Sequence, residues 1–521
     1  MKTPLTPLAL ANRAFKYYDQ RLAIIDGDYE ETYGTWAQRI FRVARALIDS
    51  GIKPGDRVAA LMPNTGPMLD MFYAVPWVGA ILVPLNTRLA VDDYAYILDH
   101  SGARLVVVDV TLWPLIAPLQ ESLPTVWVSR GSAAGLPEYE AVLGRFSGDP
   151  LPLPDIDEDA TMTLNYTSGT TARPKGVELT HRNLMANAVD FAYHLQVGLG
   201  DVYLHTLPMF HVNGWGGVWA VTGVGGVHVT LPKVDGSQIW RLIREHRVTR
   251  LCGAPAVMNI MIHSPDAAHV DQPIRLGTAG APPPASIIER MESLGFEILH
   301  VYGLTEVSPF ITVSEWLPEE RHRPVAERAL RSARQGIPQL LSGEVRVVRP
   351  DNTEVAEDGE ELGEIVCRGN VVMKGYYQDP DATAKVLRDG WFHTGDLAIV
   401  HPDHYIEIRD RDKDIIISGG ENISSVEVES VLYRHPQIQE AAVIGVPDAK
   451  WGETVKAIVV LKKDAALDPH DIIRFCRDYL AHFKAPTSVD IVAELPRTAS
   501  GKVQKFILRE PYWKEQTKRV N

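Results

Sequence analysis

Residues Asn165 to His181 read NYTSGTTARPKGVELTH. Thr167, Ser168, Thr170 and Thr171 supply hydroxyls, Gly169 and Gly176 supply backbone freedom, and Lys175 supplies one cation. A loop rich in Gly, Ser and Thr wraps phosphate oxygens with N–H and O–H donors. It is not a Walker A loop, which needs G-x-x-x-x-G-K-[ST]. Here Pro174 precedes the lysine and Gly176 follows it, with no hydroxyl next. The approach, ATMTLNYTS, reads as a strand, and HRNLMANAVDFAYHL reads as a helix well after the loop. An ordinary polar surface loop is the plain alternative, and spacing alone does not decide between the two.

Strand-like runs alternate with helix-like ones on both sides of this stretch. RVAALMP precedes TGPMLDMFYAVPWVGA, ILVPLN precedes AVDDYAYILDHSG and then RLVVVD, and VHVTLP precedes DGSQIWRLIREHRV and then RLCGAPAV. Such alternation predicts an α/β fold with parallel-rich sheets flanked by helices. From about Glu344 the texture changes to short alternating strands: GEVRVV, GEIVCRG and HYIEIRDR. A charged, turn-prone run follows, and then SSVEVESVLYRHPQI, a helix that Ser424 or Ser425 caps. The runs EAAVIGVP, KAIVVLKK, PHDIIRFCRDYLAHF and SVDIVAELP complete a small α+β domain. The expected division is residues 1–411, with a β-rich subdomain, and residues 412–521.

The chain has 521 residues, 45% hydrophobic and 23% charged, with a formal net charge of -14. That is a globular composition long enough for more than one domain. The acidic balance disfavours a nucleic-acid partner, which needs a basic face. Cys252, Cys367 and Cys476 are far apart, so neither a disulfide framework nor a thiolate metal site is expected, and a reducing, cytoplasmic setting fits. The N-terminus lacks the pattern of a signal peptide. MFYAVPWVGAILVPL is shorter than the ~20 residues of a bilayer span, and reads as a buried helix end followed by a buried strand. Peripheral membrane contact stays open. No H-E-x-x-H, G-x-S-x-G or strand-linked G-x-G-x-x-G occurs.

YTSGTTARPKG resembles the phosphate-loop signature of the acyl-adenylate-forming, or AMP-binding, superfamily: acyl-CoA synthetases, peptide-synthetase adenylation domains and luciferases. The resemblance runs along nearly the whole chain and is nearest the fatty acyl-CoA synthetase type. Ala172 stands where glycine is usual; at positive φ it would cost ~1 kcal/mol. The resemblance assigns Thr167, Ser168, Gly169, Thr170, Thr171 and Lys175 to the phosphates. In HVYGLTEVSP, Tyr302 and the Gly303 turn line the adenine, Thr305 contacts the α-phosphate, and Glu306 holds Mg²⁺ together with Thr167. In TAGAPPP, Gly280 and Ala281 run along the adenine and acyl pocket. Asp396 in GWFHTGDLA and Arg411 in IRDRDKD bind the ribose.

In PMFHVNGWGG, the resemblance implies that His211 lies near the reacting carboxylate, that Asn213 and Trp215 belong to the acyl pocket with Gly280, and that Trp215 takes the place of an aromatic gate. Lys502, in LPRTASGKVQK, is implied to be the adenylating lysine, with Lys505 nearby. The catalytic set is thus Thr167, Lys175, His211, Glu306 and Lys502. The small C-terminal domain is expected to rotate about Lys413, turning Gly420, in SGGEN, and Trp451, in DAKWGET, toward coenzyme A.

The activity implied is that of an ATP-dependent acyl-CoA synthetase using ATP, Mg²⁺ and coenzyme A on a medium- or long-chain fatty acid, as a homodimer. Open beside it are an acyl-AMP ligase serving a carrier protein, and a ligase for aryl or short thioether acids. A non-catalytic nucleotide-binding relative and a luciferase complete the set.

Overall fold

The structure, a computed structural model, describes residues 2–167, 173–280, 283, 285–316, 320, 322–411, 414–418, 421–448, 450–463, 465–497 and 503–513. The chain divides into two compact units. The first is Met1–Ala333 with Ile337–Val345 and Cys367–Phe392; the second is Arg334–Gly336, Arg346–Val366 and His393–Asn521.

The first unit is α/β, as the alternation predicts. Among the described residues, one of its sheets has seven strands. Five of them, Thr161–Thr167, Ile81–Pro84, Arg57–Leu61, Ala103–Asp109 and Thr125–Ser129, are parallel neighbours in that order. Val58, Ala59, Ala60 and Leu61 are all buried. Continuous burial along a strand marks a sheet covered on both faces. The helix Gly66–Trp77 is buried at every residue and leads to the buried strand Ile81–Pro84. That accounts for the apolar run near position 80, and no described helix is long and apolar enough to cross a membrane.

The nine-stranded sheet runs in parallel from Phe296–Tyr302 through Ile274–Thr278, Arg250–Cys252, Val202–Leu204 and Val227–Val229 to Leu22–Asp26. Antiparallel strands close both of its edges: Thr312–Val313 with Ile337–Pro338 at one, and Tyr29–Thr32 at the other.

A strand, Lys175–Thr180, stands between the phosphate-loop sequence and the following helix, and it pairs antiparallel with Thr161–Thr167. The phosphate-loop sequence therefore joins two paired antiparallel strands. Thr180 then caps the helix His181–His194: its Oγ accepts the Asn183 N–H at 3.2 Å, and Asn183 Oδ1 accepts the Thr180 N–H at 2.8 Å. This reciprocal cap satisfies two helix-end donors at once.

In the second unit, Trp391–Val400 and Ile406–Arg411 form an antiparallel pair. The C-terminal sheet has the order Glu421–Ile423, Ile416–Ser418, Gly452–Leu461 and Ile438–Asp448, with Ser488–Ile491 parallel to Gly452–Leu461. Helices Ser425–Leu432 and Pro469–Tyr479 share one core with it, through Val428, Leu432, Ile472 and Cys476. Helix Lys505–Trp513 packs Leu508 and Tyr512 against a second cluster around Ile444 and Ile458. Of the two candidate caps, Ser424 is the one used: its Oγ accepts the Glu427 N–H at 3.1 Å.

Candidate active site

The hairpin fixes the first part of the site. Thr167 and Lys175 face each other in register. Next to Lys175–Thr180 lies the short strand Gly375–Tyr376, with Tyr376 opposite Val177 and the Tyr377 N–H donating to Gly176 O at 2.8 Å. Asn183 steadies the approach to this strand by donating to Asn370 O and Val372 O at 2.7 and 2.9 Å.

Tyr376 then does two things. Its ring lies 4.6 Å beneath Lys175 Nζ, a cation–π distance. Its hydroxyl donates to Glu306 Oε1 at 2.9 Å. Burial, and then the charge of Glu306, push the phenol pKa up, so the hydroxyl stays a donor. The Met373 N–H holds the Glu306 carbonyl at 2.8 Å. The Tyr302–Glu306 motif is equally constrained. Tyr302 ends the strand Phe296–Tyr302, and Thr305 and Glu306 lie in a 3₁₀ turn. A Cβ at Gly303 would fall 1.9 Å from Pro309 O, so the motif tolerates only glycine there. At Gly280 the limit is conformational: φ is +90° and nothing lies within 4 Å of an added Cβ.

The His211–Gly217 segment is the most strained part of the unit. Val212, Asn213, Gly214, Trp215 and Gly216 all have positive φ, at 40°, 59°, 57°, 60° and 92°. Left-handed backbone costs a non-glycine residue ~1–2 kcal/mol, and such strain persists where surroundings over-determine it. Asn213 is fully buried and donates to Thr163 Oγ1 at 3.0 Å, while Asn165 donates to Asn213 Oδ1 at 3.2 Å. The turn is thus tied to the strand that leads into the phosphate-loop sequence. Asn64 clamps the preceding residues: it donates to His205 O and Leu207 O and accepts the Met209 N–H. Trp215, buried, meets Phe310 edge-on at 4.9 Å. His211 is half-buried at the head of the turn.

In the second unit Asp396 is buried, and its Cα is paired with that of Arg411. Glu364 braces this strand by accepting the Gly395 N–H at 3.0 Å and pairing with His393 Nδ1 at 2.8 Å. Trp451 is half-exposed under Lys450 Nζ, at 4.4 Å. Ser168, Gly169, Thr170, Thr171, Ala172, Ala281, Lys413, Gly420 and Lys502 lie outside the described residues.

Sequence reasoning missed Tyr376, Asn64 and Glu364. Their partners lie far along the chain, so no local pattern marks them. The doubled tyrosine of KGYYQD was the one available signal for Tyr376.

One unit thus brings together two parallel-rich sheets, a lysine held over a tyrosine ring and a carboxylate fixed by that tyrosine's hydroxyl. The AMP-binding enzyme family model matches residues 10–377, and the AMP-binding enzyme C-terminal domain model matches residues 427–502. The chain belongs to this family, the acyl-adenylate-forming superfamily. It is 41% identical to 2-methylpropanoate–CoA ligase CCL4 of Humulus lupulus, covering 98% of this chain and 95% of that one. It is 39% identical to 4-hydroxybutyrate–CoA ligase 2 of Metallosphaera sedula, covering 97% and 94%. Among solved structures it resembles ATP-bound MatB from Rhodopseudomonas palustris, with TM-score 0.86, 30% identity and coverage of 98% and 100%.

Proposed function

We propose that the chain is an AMP-forming acyl-CoA ligase for short aliphatic acids. A carboxylate oxygen attacks the α-phosphorus of ATP and releases pyrophosphate. The thiol of coenzyme A then attacks the acyl-adenylate and releases AMP. The observation that carries this reading is the line Lys175–Tyr376–Glu306 at the loop end of the hairpin. It gives a cation for phosphate oxygens and a carboxylate fixed from both side chain and backbone. Mg²⁺ is held by one or two carboxylates plus substrate phosphates, a demand that Glu306 and Thr167 suit. When bound, it neutralises charge on the phosphates.

The remaining roles are part of the proposal. Ser168 to Thr171 donate to phosphate oxygens, Thr305 meets the α-phosphate, and Tyr302, Gly303, Gly280 and Ala281 border the adenine. Asp396 and Arg411 hold the ribose, and Lys502 offsets charge as the carboxylate attacks. Rotation about Lys413, at the 411/412 boundary, then exchanges Lys502 for Gly420 and Trp451 at the coenzyme A path.

The substrate size is argued from two supports. Relatives matched over almost their whole length are named for 2-methylpropanoate and 4-hydroxybutyrate. The second is the buried contact of Trp215 with Phe310, which we take as the wall that limits the acyl chain. Medium- and long-chain fatty acids are the competing reading. Pyrophosphate and AMP release over acids from acetate to palmitate, with aryl acids and with or without coenzyme A, decides between them. Release that peaks at short acids and is accelerated by coenzyme A is expected. A maximum at palmitate would restore the fatty-acid reading. Acyl-AMP accumulating without acceleration by coenzyme A would point to a carrier protein.

A further inference from the structure

A cavity of about 250 Å³ in the first unit has none of the residues assigned above in its lining. At ~30 Å³ per water it holds roughly eight waters, the size of a small organic molecule. Three elements wall it. Helix Tyr33–Asp49 contributes Gln38, Arg39 and Arg42, which at spacings of three and four share one face. Strand Tyr29–Thr32 contributes Tyr29 and Glu31, which alternation puts on one side. Helix Tyr139–Leu143 contributes Glu140.

Much of the charge in this wall is already paired. Arg39 donates through Nε to Asp70 Oδ2 at 2.7 Å, and through its two terminal nitrogens to Glu140 at 2.8 and 2.5 Å. Asp70, fully buried, also accepts from Trp36 Nε1 at 3.0 Å and from the Tyr139 hydroxyl at 3.1 Å. Two charges are left. Glu31 is only 6% exposed, and one of its oxygens accepts the Tyr29 hydroxyl at 2.5 Å. Its other oxygen has no hydrogen-bond partner among the described residues. The Arg42 side chain makes no hydrogen bond or ion pair among the described residues. Glu31 and Arg42 thus line one cavity with opposite charges that do not pair. A buried carboxylate without a cation is costly, and a ligand that brings one relieves the cost. A free guanidinium matches a carboxylate in the same way.

We propose that this cavity binds a small amino acid, with its ammonium group on Glu31 and its carboxylate on Arg42. The site is independent of the ligase reading, because no group in it is assigned to the reaction. Burial, and then the charge of Asp70, raise the Glu31 carboxyl to about 7. The groups that face it are Tyr29 on its own strand, Arg39 and Arg42, Asp70 on helix Gly66–Trp77, and Glu140. An ammonium group binds the ionised carboxylate, so affinity follows the ionisation of Glu31.

Calorimetric titration of the full chain reads the site. The probes are threonine, β-alanine and 4-aminobutyrate, with acetate and ethylammonium as single-charge controls. At least one amino acid should bind more tightly than either control. Its affinity should rise about tenfold from pH 6 to pH 8 as Glu31 ionises. Arg42→Gln, a change at an exposed position, should weaken it about tenfold, the loss of one charge-assisted contact. Glu31→Gln should weaken it and remove its rise with pH. No binding by any of the three amino acids overturns the proposal. Ethylammonium binding as tightly as the best amino acid overturns it too, since the cavity is then a cation site. An affinity unchanged in Arg42→Gln places the amino acid elsewhere, the acyl site included, and also overturns it.

Discussion

Tyr376 touches both ends of the phosphate site, so a single atom can be removed to test it. Tyr376→Phe keeps the ring beneath Lys175 and deletes the hydrogen bond to Glu306. A hydrogen bond to a charged group is worth ~1.5–3 kcal/mol, so exchange of pyrophosphate into ATP should fall roughly ten- to a hundredfold at nearly unchanged melting temperature. An unchanged exchange rate would remove the hydroxyl from the mechanism. Two lysines three positions apart should separate just as cleanly. Lys505 Nζ lies 2.7 Å from Glu429 Oε1 and also donates to Ser425 Oγ, and the Val443 N–H donates to the same Glu429 oxygen at 2.8 Å. Lys505→Met therefore strands a half-buried carboxylate that keeps only its backbone donor and should cost ~1–3 kcal/mol of stability, read as a drop in the melting temperature of the C-terminal unit. Lys502→Met should instead lose adenylation by at least ~100-fold. A C-terminal unit that melts normally in Lys505→Met would refute the anchor. Glu306 and Lys175 were legible in the sequence because their motifs are contiguous. Tyr376 was not, because its meaning lies in a partner 70 positions away.

At the scale of elements, the left-handed turn from Val212 to Gly216 was the least legible feature. PMFHVNGWGG shows its glycines, but Val212 and Trp215 have no local reason to adopt positive φ. Neighbours impose it: the amide tie of Asn213 to Thr163 and Asn165 on one side, and Phe310 on the other. Gly216 is where this conformation meets a hard limit. Its φ is +92°, and an added Cβ would lie 1.8 Å from Asn187 Oδ1. Gly216→Ala should destabilise by ~2–4 kcal/mol, combining backbone strain with overpacking. Asn187→Ala in the same chain should return the steric share only, leaving ~1–2 kcal/mol from the backbone. The cycle is measured by denaturant unfolding, and additive single effects would show that the clash is not the cause. The hairpin teaches the same lesson in reverse. KGVELT alternates poorly, yet pairing with Thr161–Thr167 makes it a strand. The helix cap at Thr180, by contrast, is a local signal that the structure uses.

Over the whole molecule, alternation of strand and helix was enough to give parallel-rich sheets, because strands such as Arg57–Leu61 and Ala103–Asp109 are buried along most of their length. The antiparallel edges and the grouping of Arg346–Val366 with the C-terminal sheet depend on long-range packing and carry no such mark. Long-range packing also buries titratable groups, and these make the first unit's stability depend on pH in two opposed ways. Burial pushes His181 down to about 4 and His228 to about 3, and burial with the neighbouring His228 holds His205 well below its usual value. In the unfolded chain these histidines take up protons near pH 6.5. Below that pH the unfolded state binds more protons, so each contributes stability that is lost as pH falls from 6.5 toward 4. Asp190 and Glu31 act with the other sign. Burial raises both to about 7, with the charge of Asp70 adding to the effect at Glu31. Each stays protonated when folded and ionises near pH 4 when unfolded, so its contribution falls as pH rises from 4 to 7. The buried histidines and the buried carboxyls therefore oppose each other on acidification. Asp190→Asn keeps an oxygen for the Leu341 N–H that Asp190 Oδ1 accepts at 2.8 Å and removes one opposing titration. Its stability relative to the parent should therefore be higher by ~1–3 kcal/mol at pH 8 than at pH 5, and its acid loss between pH 6.5 and 5 should be steeper. Denaturant unfolding at pH 5, 6.5 and 8 measures both. A difference between variant and parent that is constant with pH would show that Asp190 does not titrate in this window.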